Sequence, residues 1–265
     1  MGVLAGQGDP DRSMALLWRA PGVAGARSGP GPKPGLSVDA IVEAAIAVAD
    51  ADGMAGLSMR AVAERLGVTA MALYTYVPGK HELIDLMYDG AHTELPAGYD
   101  LSEGWRTAAT SWATDLVRFC VRHPWVPQVS FARPALGPNE QSVLEALVRI
   151  LCETGLPAAV LRRIVSLIFY VVRGTAQTVA ESRLAATASG TPEQEWWSSR
   201  SAALRAVAPD FAQRFPMAVW LASDGPTPRA DDSTPYLEQE AMEAFVVGLT
   251  VLLDGIEAAM AKGRT

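Results

Sequence analysis

From residue 37 onward, apolar positions recur every three to four residues. Ile41, Ala45, Val48 and Ala49 share a face, Asp39 stands in the first turn and Gly53 follows the last periodic position. That pattern predicts a helix over 38–52 closed by a left-handed glycine cap. Two short helices follow. Ser58 caps the first, with Leu57 and Val62 placed as a staple across the cap, and Gly67 ends it. Thr69 caps the second, where Val68 and Leu73 repeat the staple. Pro78-Gly79 then breaks the chain before a helix from Lys80 to about Leu95 that aligns Leu83, Met87 and Ala91. Pro96 to Asp100 reads as a boundary.

The remainder repeats the same period. Ser102 is expected to cap a helix to about His123, with Trp105, Trp112, Leu116 and Phe119 on one side, and His123-Pro124 ends it. A helix over 139–154 stops at Gly155, and Pro157 opens a long one to about Ala188. The middle of that helix is apolar nearly all round (Ile164, Val165, Leu167, Ile168, Phe169, Val171, Val172). Thr191, Pro192 and Gln194 form a capping box before a helix with Trp196 and Trp197. A short apolar piece near 211–222 and a polar loop over 223–235 precede a last helix over 236–262. There Ala241, Phe245, Leu249, Leu252, Ile256 and Ala259 form a seam. No strand alternation appears, so the expected class is all-α.

Composition narrows the function. The chain has 265 residues, 49% apolar, enough for a substantial core and too apolar for wholesale disorder. The uncharged run Ile164 to Val172 is far short of the ~20 residues that cross a bilayer. Cys120 and Cys152 are isolated from each other and stand in no multi-cysteine cluster, so neither a disulfide framework nor a zinc module is expected. The beginning of the chain lacks a signal-peptide pattern, and a cytoplasmic protein is expected. Residues 1–35 are rich in Gly, Pro and Ala and predict a flexible basic arm, with Arg12, Arg19, Arg27 and Lys33 against Asp9 and Asp11. Such an arm reaches a minor groove through Arg27 or Lys33, or is a solvated tail without a role. A start at Met14 is the alternative beginning.

The net charge of −7 speaks against nucleic acid, but it is an average. Between Ser58 and Lys80, Arg60, Arg65 and Lys80 face Glu64 alone. This stretch, SMRAVAERLGVTAMALYTYVPGK, has the layout of a helix-turn-helix. Ala61, Val62 and Leu66 pack the first helix, and Gly67 permits the sharp angle. The second helix starts with small or hydrogen-bonding residues suited to approach base edges. Tyr74 and Tyr76 offer hydroxyls and rings to phosphate or sugar, and Lys80 places a cation beside exposed helix amides.

With these residues in view, 36–95 resembles the DNA-binding domain of the tetracycline-repressor (TetR) family. The matching segments are AA-x-A-x-AD-x-DG (Ala44 to Gly53), LSMRAVAERLGV and ALYTYVPGKHELID. More loosely, WRTAATSWATDLVRFCVRHPW and FVVGLTVLLDGIEAAM resemble the branch with tetracycline-repressor-like C-terminal domains. The resemblance implies a three-helix DNA-binding domain over 36–95 and a larger helical domain over 96–265 that binds a ligand and dimerises. It also implies that Ser58 and Arg60 contact phosphate or a base, that Thr69, Ala70 and Met71 face the bases, and that Tyr74, Thr75, Tyr76 and Lys80 hold the backbone. Ala70 and Met71 carry no bidentate hydrogen-bonding group, so readout there rests on van der Waals contact and the operator sequence stays open.

For the larger domain, the resemblance implies a homodimer joined through the helices near 157–188 and 236–262 and a small hydrophobic effector. The candidate pocket residues are His92, Trp112, Phe119, Trp125, Phe131, Phe169, Tyr170, Arg173 and Gln177, with core packing the competing role for each aromatic. Neither His92 nor His123 has an obvious carboxylate or histidine partner at helical spacing for holding a ligand or metal, so no metal or other cofactor is expected. The implied function is a transcriptional regulator of the repressor type, released from a palindromic operator by its effector. Activation is equally compatible with the residues. No nucleophile set, phosphate loop or carboxylate pair suggests an enzyme, and a sequence-independent DNA organiser would carry many more Lys and Arg.

Overall fold

The computed structural model describes residues 5–19, 36–129, 132–223 and 235–262. Among these the chain forms twelve α-helices and two short 3-10 turns, with no β-strand. By its internal contacts it divides into two compact units, Met1–Gln177 with Gly248–Thr265, and Thr178–Val247.

The first unit begins with α1 (Pro10–Leu17), α2 (Val38–Gly56), α3 (Met59–Leu66), α4 (Ala70–Tyr74) and α5 (Lys80–Ala91). Local chemistry sets most of their ends. Ser37 Oγ accepts from the Ala40 amide at 3.1 Å and starts α2. Gly53, at φ 67°, interrupts α2 where the predicted cap falls, and one further turn follows it. Ser58 Oγ accepts from the Ala61 amide at 3.1 Å, and Gly67 closes α3 in the left-handed region at φ 68°. The unit continues through α6 (Trp105–Arg122), α7 (Pro138–Cys152), the first part of α8 (Ala158–Ser189) and the end of α12 (Tyr236–Lys262). Ile41, Val62, Leu73, Leu83, Met87, Trp112, Phe119, Leu147 and Ile168 make its core.

The second unit holds the end of α8, α9 (Glu193–Val207), α10 (Phe211–Arg214), α11 (Pro216–Ser223) and the start of α12. Arg183 on α8 donates through Nε and Nη2 to both oxygens of Glu238 on α12, at 2.8 and 2.7 Å. Nearly every apolar residue of α11 is exposed, among them Met217, Val219, Trp220 and Leu221.

Several expectations need correction. Residues 5–19 are not a flexible arm: Asp9 caps α1, Pro10 begins it, and Ala5, Ser13 and Leu17 are buried. The helix forms because it has an apolar face to bury against α5. Arg19 is not free for DNA either, since it pairs with Asp39 on α2. Arg27 and Lys33 lie outside the described residues. Ser102 does not cap α6. Asp100 captures its amide and hydroxyl at 2.9 and 2.7 Å, and Gly104 stands at the N-cap. Thr69 occupies the N-cap of α4 without a side-chain bond, and Pro192 holds that position in α9 without one either. In α12 the buried seam runs Ala241, Phe245, Leu249, Leu253 and Ile256, with Leu253 in place of Leu252. By length and mean hydropathy this helix is one that could cross a bilayer. Its carboxylates Glu238, Glu240, Glu243, Asp254 and Glu257 and its buried seam are those of a helix packed on protein.

Candidate functional site

The helix-turn-helix is built by α3 and α4 on α2. Met59, Val62 and Ala63 of α3, Leu73 of α4 and Val77 just beyond it are buried, which turns the other faces outward. Ser58, Arg60, Thr69, Met71, Tyr74, Thr75 and Lys80 are exposed there, and Ala70 and Tyr76 half-buried. All nine residues singled out from sequence therefore lie on one short stretch with accessible side chains. Met71 is 74% exposed and Tyr74 44%, unusual for large apolar groups with no partner. Arg60 Nε donates to Glu64 Oε1 at 2.7 Å across one helical turn, which holds the guanidinium in solvent. Lys80 opens α5, whose N-cap Gly79 makes no side-chain capping bond. The first-turn amides of α5 thus keep their capacity for an anion.

α5 joins this motif to the rest of the unit, and every residue from Glu82 to Asp89 is buried. One side meets the larger helical body. Asp89 Oδ1 accepts from the amides of Asn139 and Glu140 at 2.9 and 2.8 Å, and Oδ2 from Asn139 Nδ2 at 2.9 Å. It thereby satisfies the open start of α7 from another helix. A second connection joins α2 to the end of α6. His123 lies between Asp50 Oδ1 on Nδ1 (2.8 Å) and Glu94 Oε1 on Nε2 (3.1 Å), and Trp125 Nε1 donates to the same Asp50 oxygen at 2.7 Å. Carboxylate partners of His123, absent at helical spacing, are supplied by tertiary contact. No group of three or more potential metal ligands occurs among the described residues.

A small cavity of about 20 Å³, roughly one water, lies between the end of α5 and the helices α6 and α8. His92, Phe169 and Arg173, three of the residues expected in a pocket, line it with Tyr88, Leu116, Cys120, Val126, Pro127 and Val172. The walls are dry. Burial pushes His92 down to about 4 and Cys120 up to about 12, raises Tyr88 and lowers Arg173. His92 Nδ1 lies 2.7 Å from the Tyr88 carbonyl oxygen, and Arg173 Nη1 donates to the Val129 carbonyl at 2.8 Å. The missed residues carried a signal in sequence, because Tyr88 with His92 and Leu116 with Cys120 are one helical turn apart.

The other pocket candidates are placed elsewhere. Trp112 is a core residue, donating Nε1 to the Val143 carbonyl at 3.0 Å and meeting Phe169 edge-on. Phe119 packs between His92 and His123, and Trp125 anchors Asp50. Tyr170 and Gln177 are exposed, because the buried stripe of α8 is Leu161, Ile164, Val165, Ile168, Val172, Ala176 and Val179. Phe131 lies outside the described residues. An open cleft of about 860 Å³ borders α1, α2 and α5. Most of its carboxylates are already occupied: Asp39 by Arg19, Asp50 and Glu94 by His123, and Asp89 by the start of α7.

Comparison with known proteins accords with this geometry. Residues 41–87 match the family described as bacterial regulatory proteins, tetR family. Residues 98–260 match the tetracyclin repressor-like C-terminal domain. The HTH-type transcriptional repressor DrrR1 of Streptomyces coeruleorubidus is 36% identical over 261 residues, covering 98% of this chain and 90% of that protein. The fold is similar to that of the Streptomyces coelicolor TetR family protein ActR in complex with actinorhodin. That likeness has a TM-score of 0.67 at 24% identity over 86% of this chain and 98% of ActR. Another TetR transcriptional regulator of Streptomyces coelicolor superposes with a TM-score of 0.61 at 27% identity, covering 84% of this chain and 99% of that one. The relatives are transcription regulators and not enzymes, and this chain belongs to the TetR family of bacterial regulatory proteins.

Proposed function

We propose that the protein is a homodimeric transcriptional repressor of the cytoplasm that binds a palindromic operator and leaves it when a small hydrophobic effector binds. The observation that carries this reading is the outward face of α3 and α4. Every residue expected at the operator is accessible there, while the alternating apolar residues are buried. Residues 36–95 act as the DNA-binding domain and 96–265 as the regulatory one. Arg60 reads a base edge, Thr69, Ala70 and Met71 face bases, and Ser58, Tyr74, Thr75, Tyr76 and Lys80 hold phosphates.

Dimerisation through α8 and α12 is supported by the apolar side chains these helices leave in solvent. Leu167 and Tyr170 on α8 are 50% and 63% exposed, and Val246, Val247 and Val251 on α12 are at least 60% exposed. A twofold dimer would cover them and set two recognition helices about one DNA turn apart. The effector enters at the cavity walled by His92, Phe169 and Arg173. The ActR complex with actinorhodin is a precedent for a ligand on this fold. At about 20 Å³ the cavity must widen to admit one, and Tyr88 and His92 of α5 and the turn after it would move with its wall. Binding is then linked to the position of the DNA-binding domain.

The test is fluorescence anisotropy with the DNA upstream of the chain's own gene against a scrambled duplex. A preference of at least a hundredfold is expected, and equal affinity would refute the reading. Arg60→Ala should weaken operator binding by roughly 1–3 kcal/mol and leave scrambled DNA less affected.

A further inference from the structure

The segment before the helix-turn-helix makes contacts that operator recognition and effector binding do not use. Residues 5–19 lie against α5. The Gly6 amide donates to Asp85 Oδ1 at 2.8 Å, and the Asp9 amide faces Glu82 Oε1 at 3.4 Å. Ser13 and Leu17 are buried. Beyond α1, Trp18 Nε1 donates at 3.0 Å to the carbonyl of Leu136, and Arg19 pairs with Asp39 of α2. Leu136 is the one non-glycine residue with positive φ (60°) among the described residues, and its amide is held by Glu140 Oε2 at 2.7 Å. The segment thus grips α5, α2 and the strained turn before α7 at once. Its apolar hold is small: of these side chains only Ala5, Ser13 and Leu17 are buried, and the Ser13 hydroxyl hydrogen-bonds the Asp85 carboxylate. A segment held by so few buried apolar contacts is released at low cost.

We propose that residues 5–19 form a releasable strap that fixes α5 against α7 and α2 and so pre-sets the position of the DNA-binding domain. This proposal rests on the repressor reading for its consequence at DNA, while its structural part stands alone. With the strap docked, α5 is ordered before DNA arrives and the ordering cost falls outside the binding step. With the strap released, α5 loosens and the operator is bound less tightly.

The test uses the full chain and three substitutions. Ser13→Asp sets a second carboxylate beside buried Asp85 and should expel the strap. Asp85→Asn added to it removes the repulsion and should restore docking. Trp18→Phe deletes only the bond to Leu136 and serves as a mild variant that keeps the fold. Hydrogen exchange is read at residues 6–17 and at Asn139 and Glu140, together with affinity for the upstream DNA. Wild type should protect both groups of amides. Ser13→Asp should lose that protection at least tenfold and weaken upstream DNA at least fivefold, with rescue in the double variant and a smaller loss of the same sign in Trp18→Phe. Unprotected residues 6–17 in wild type, or a released strap with protection at 139–140 unchanged, would overturn the strap. Release with operator affinity within twofold of wild type would overturn its role at DNA. A wild type that treats upstream and scrambled DNA alike refutes the repressor reading, while the exchange result still decides the strap.

Discussion

His92 is the residue on which solution pH acts most directly. Burial holds its imidazole at about 4, whereas the same ring in the unfolded chain titrates near 6.5. Between those values the unfolded chain takes up a proton that the folded one refuses. Stability is therefore complete above about 6.5 and falls as the pH drops toward 4, by up to about 3 kcal/mol. Asp85, Asp89 and Glu140 act with opposite sign: burial raises their carboxyls, so protonating them favours the fold as the pH falls toward the ordinary carboxylate range. A difference between two variants isolates the histidine. Urea titrations from pH 7 to 4 should show wild type losing about 3 kcal/mol more than His92→Gln, and parallel curves would show that His92 is charged in the fold. Arg60 illustrates a residue legible in sequence down to its exposure. Its bond to Glu64 is an i,i+4 contact that spacing alone predicts.

At the scale of elements, the turn between α3 and α4 depends on one glycine. Gly67 adopts φ 68°, and its amide is taken by the Ala63 and Glu64 carbonyls. An added Cβ meets nothing within 4 Å, so the penalty in Gly67→Ala is conformational and not steric crowding by neighbours. That substitution should cost about 1–2 kcal/mol, read as a lower urea midpoint with an unchanged slope. Because the left-handed residue also sets the angle of α4, DNA binding should weaken by more than the lost stability explains. The helix ends governed by Ser37, Ser58, Gly53 and Gly67 were readable because a cap is a contact between neighbours in the chain. Ser102 and Thr69 carried the same signature without making the bond. For Ser102, a nearer competitor, Asp100, takes the hydroxyl. α1 carried its own signature in Asp9-Pro10 and the i,i+4 pair Ser13 and Leu17, but Gly and Pro on both sides hid it.

For the whole molecule, the exposed apolar side chains of α8 and α12 are expected to be covered by a second copy. Val251 is 65% exposed, so Val251→Glu should alter the stability of an isolated subunit by no more than about 0.5 kcal/mol. In a dimer through α12 it would bury an unpaired carboxylate at the interface. Sedimentation velocity should show wild type as a dimer and Val251→Glu shifted to monomer at micromolar concentration, with operator affinity down at least tenfold. A dimer unaffected by the substitution would place the interface elsewhere.

Helix class, the order of elements and the accessible outer face of α3 and α4 follow from patterns that span one or two turns. Hydrophobic period and caps act between residues at most four apart, so a single chain carries them in plain form. The tertiary structure alone decided which buried faces meet. Asp50 reaches His123, Asp85 the amide of Gly6, and Trp18 the carbonyl of Leu136, across 73 to 118 positions of chain. The same packing decided that Trp112, Phe119 and Trp125 serve the core while Tyr88 and Cys120 line the cavity. An aromatic side chain has the same period and the same hydrophobicity in either role. Only the shape left between packed helices separates a wall from a filling, and that shape is set by all of them together.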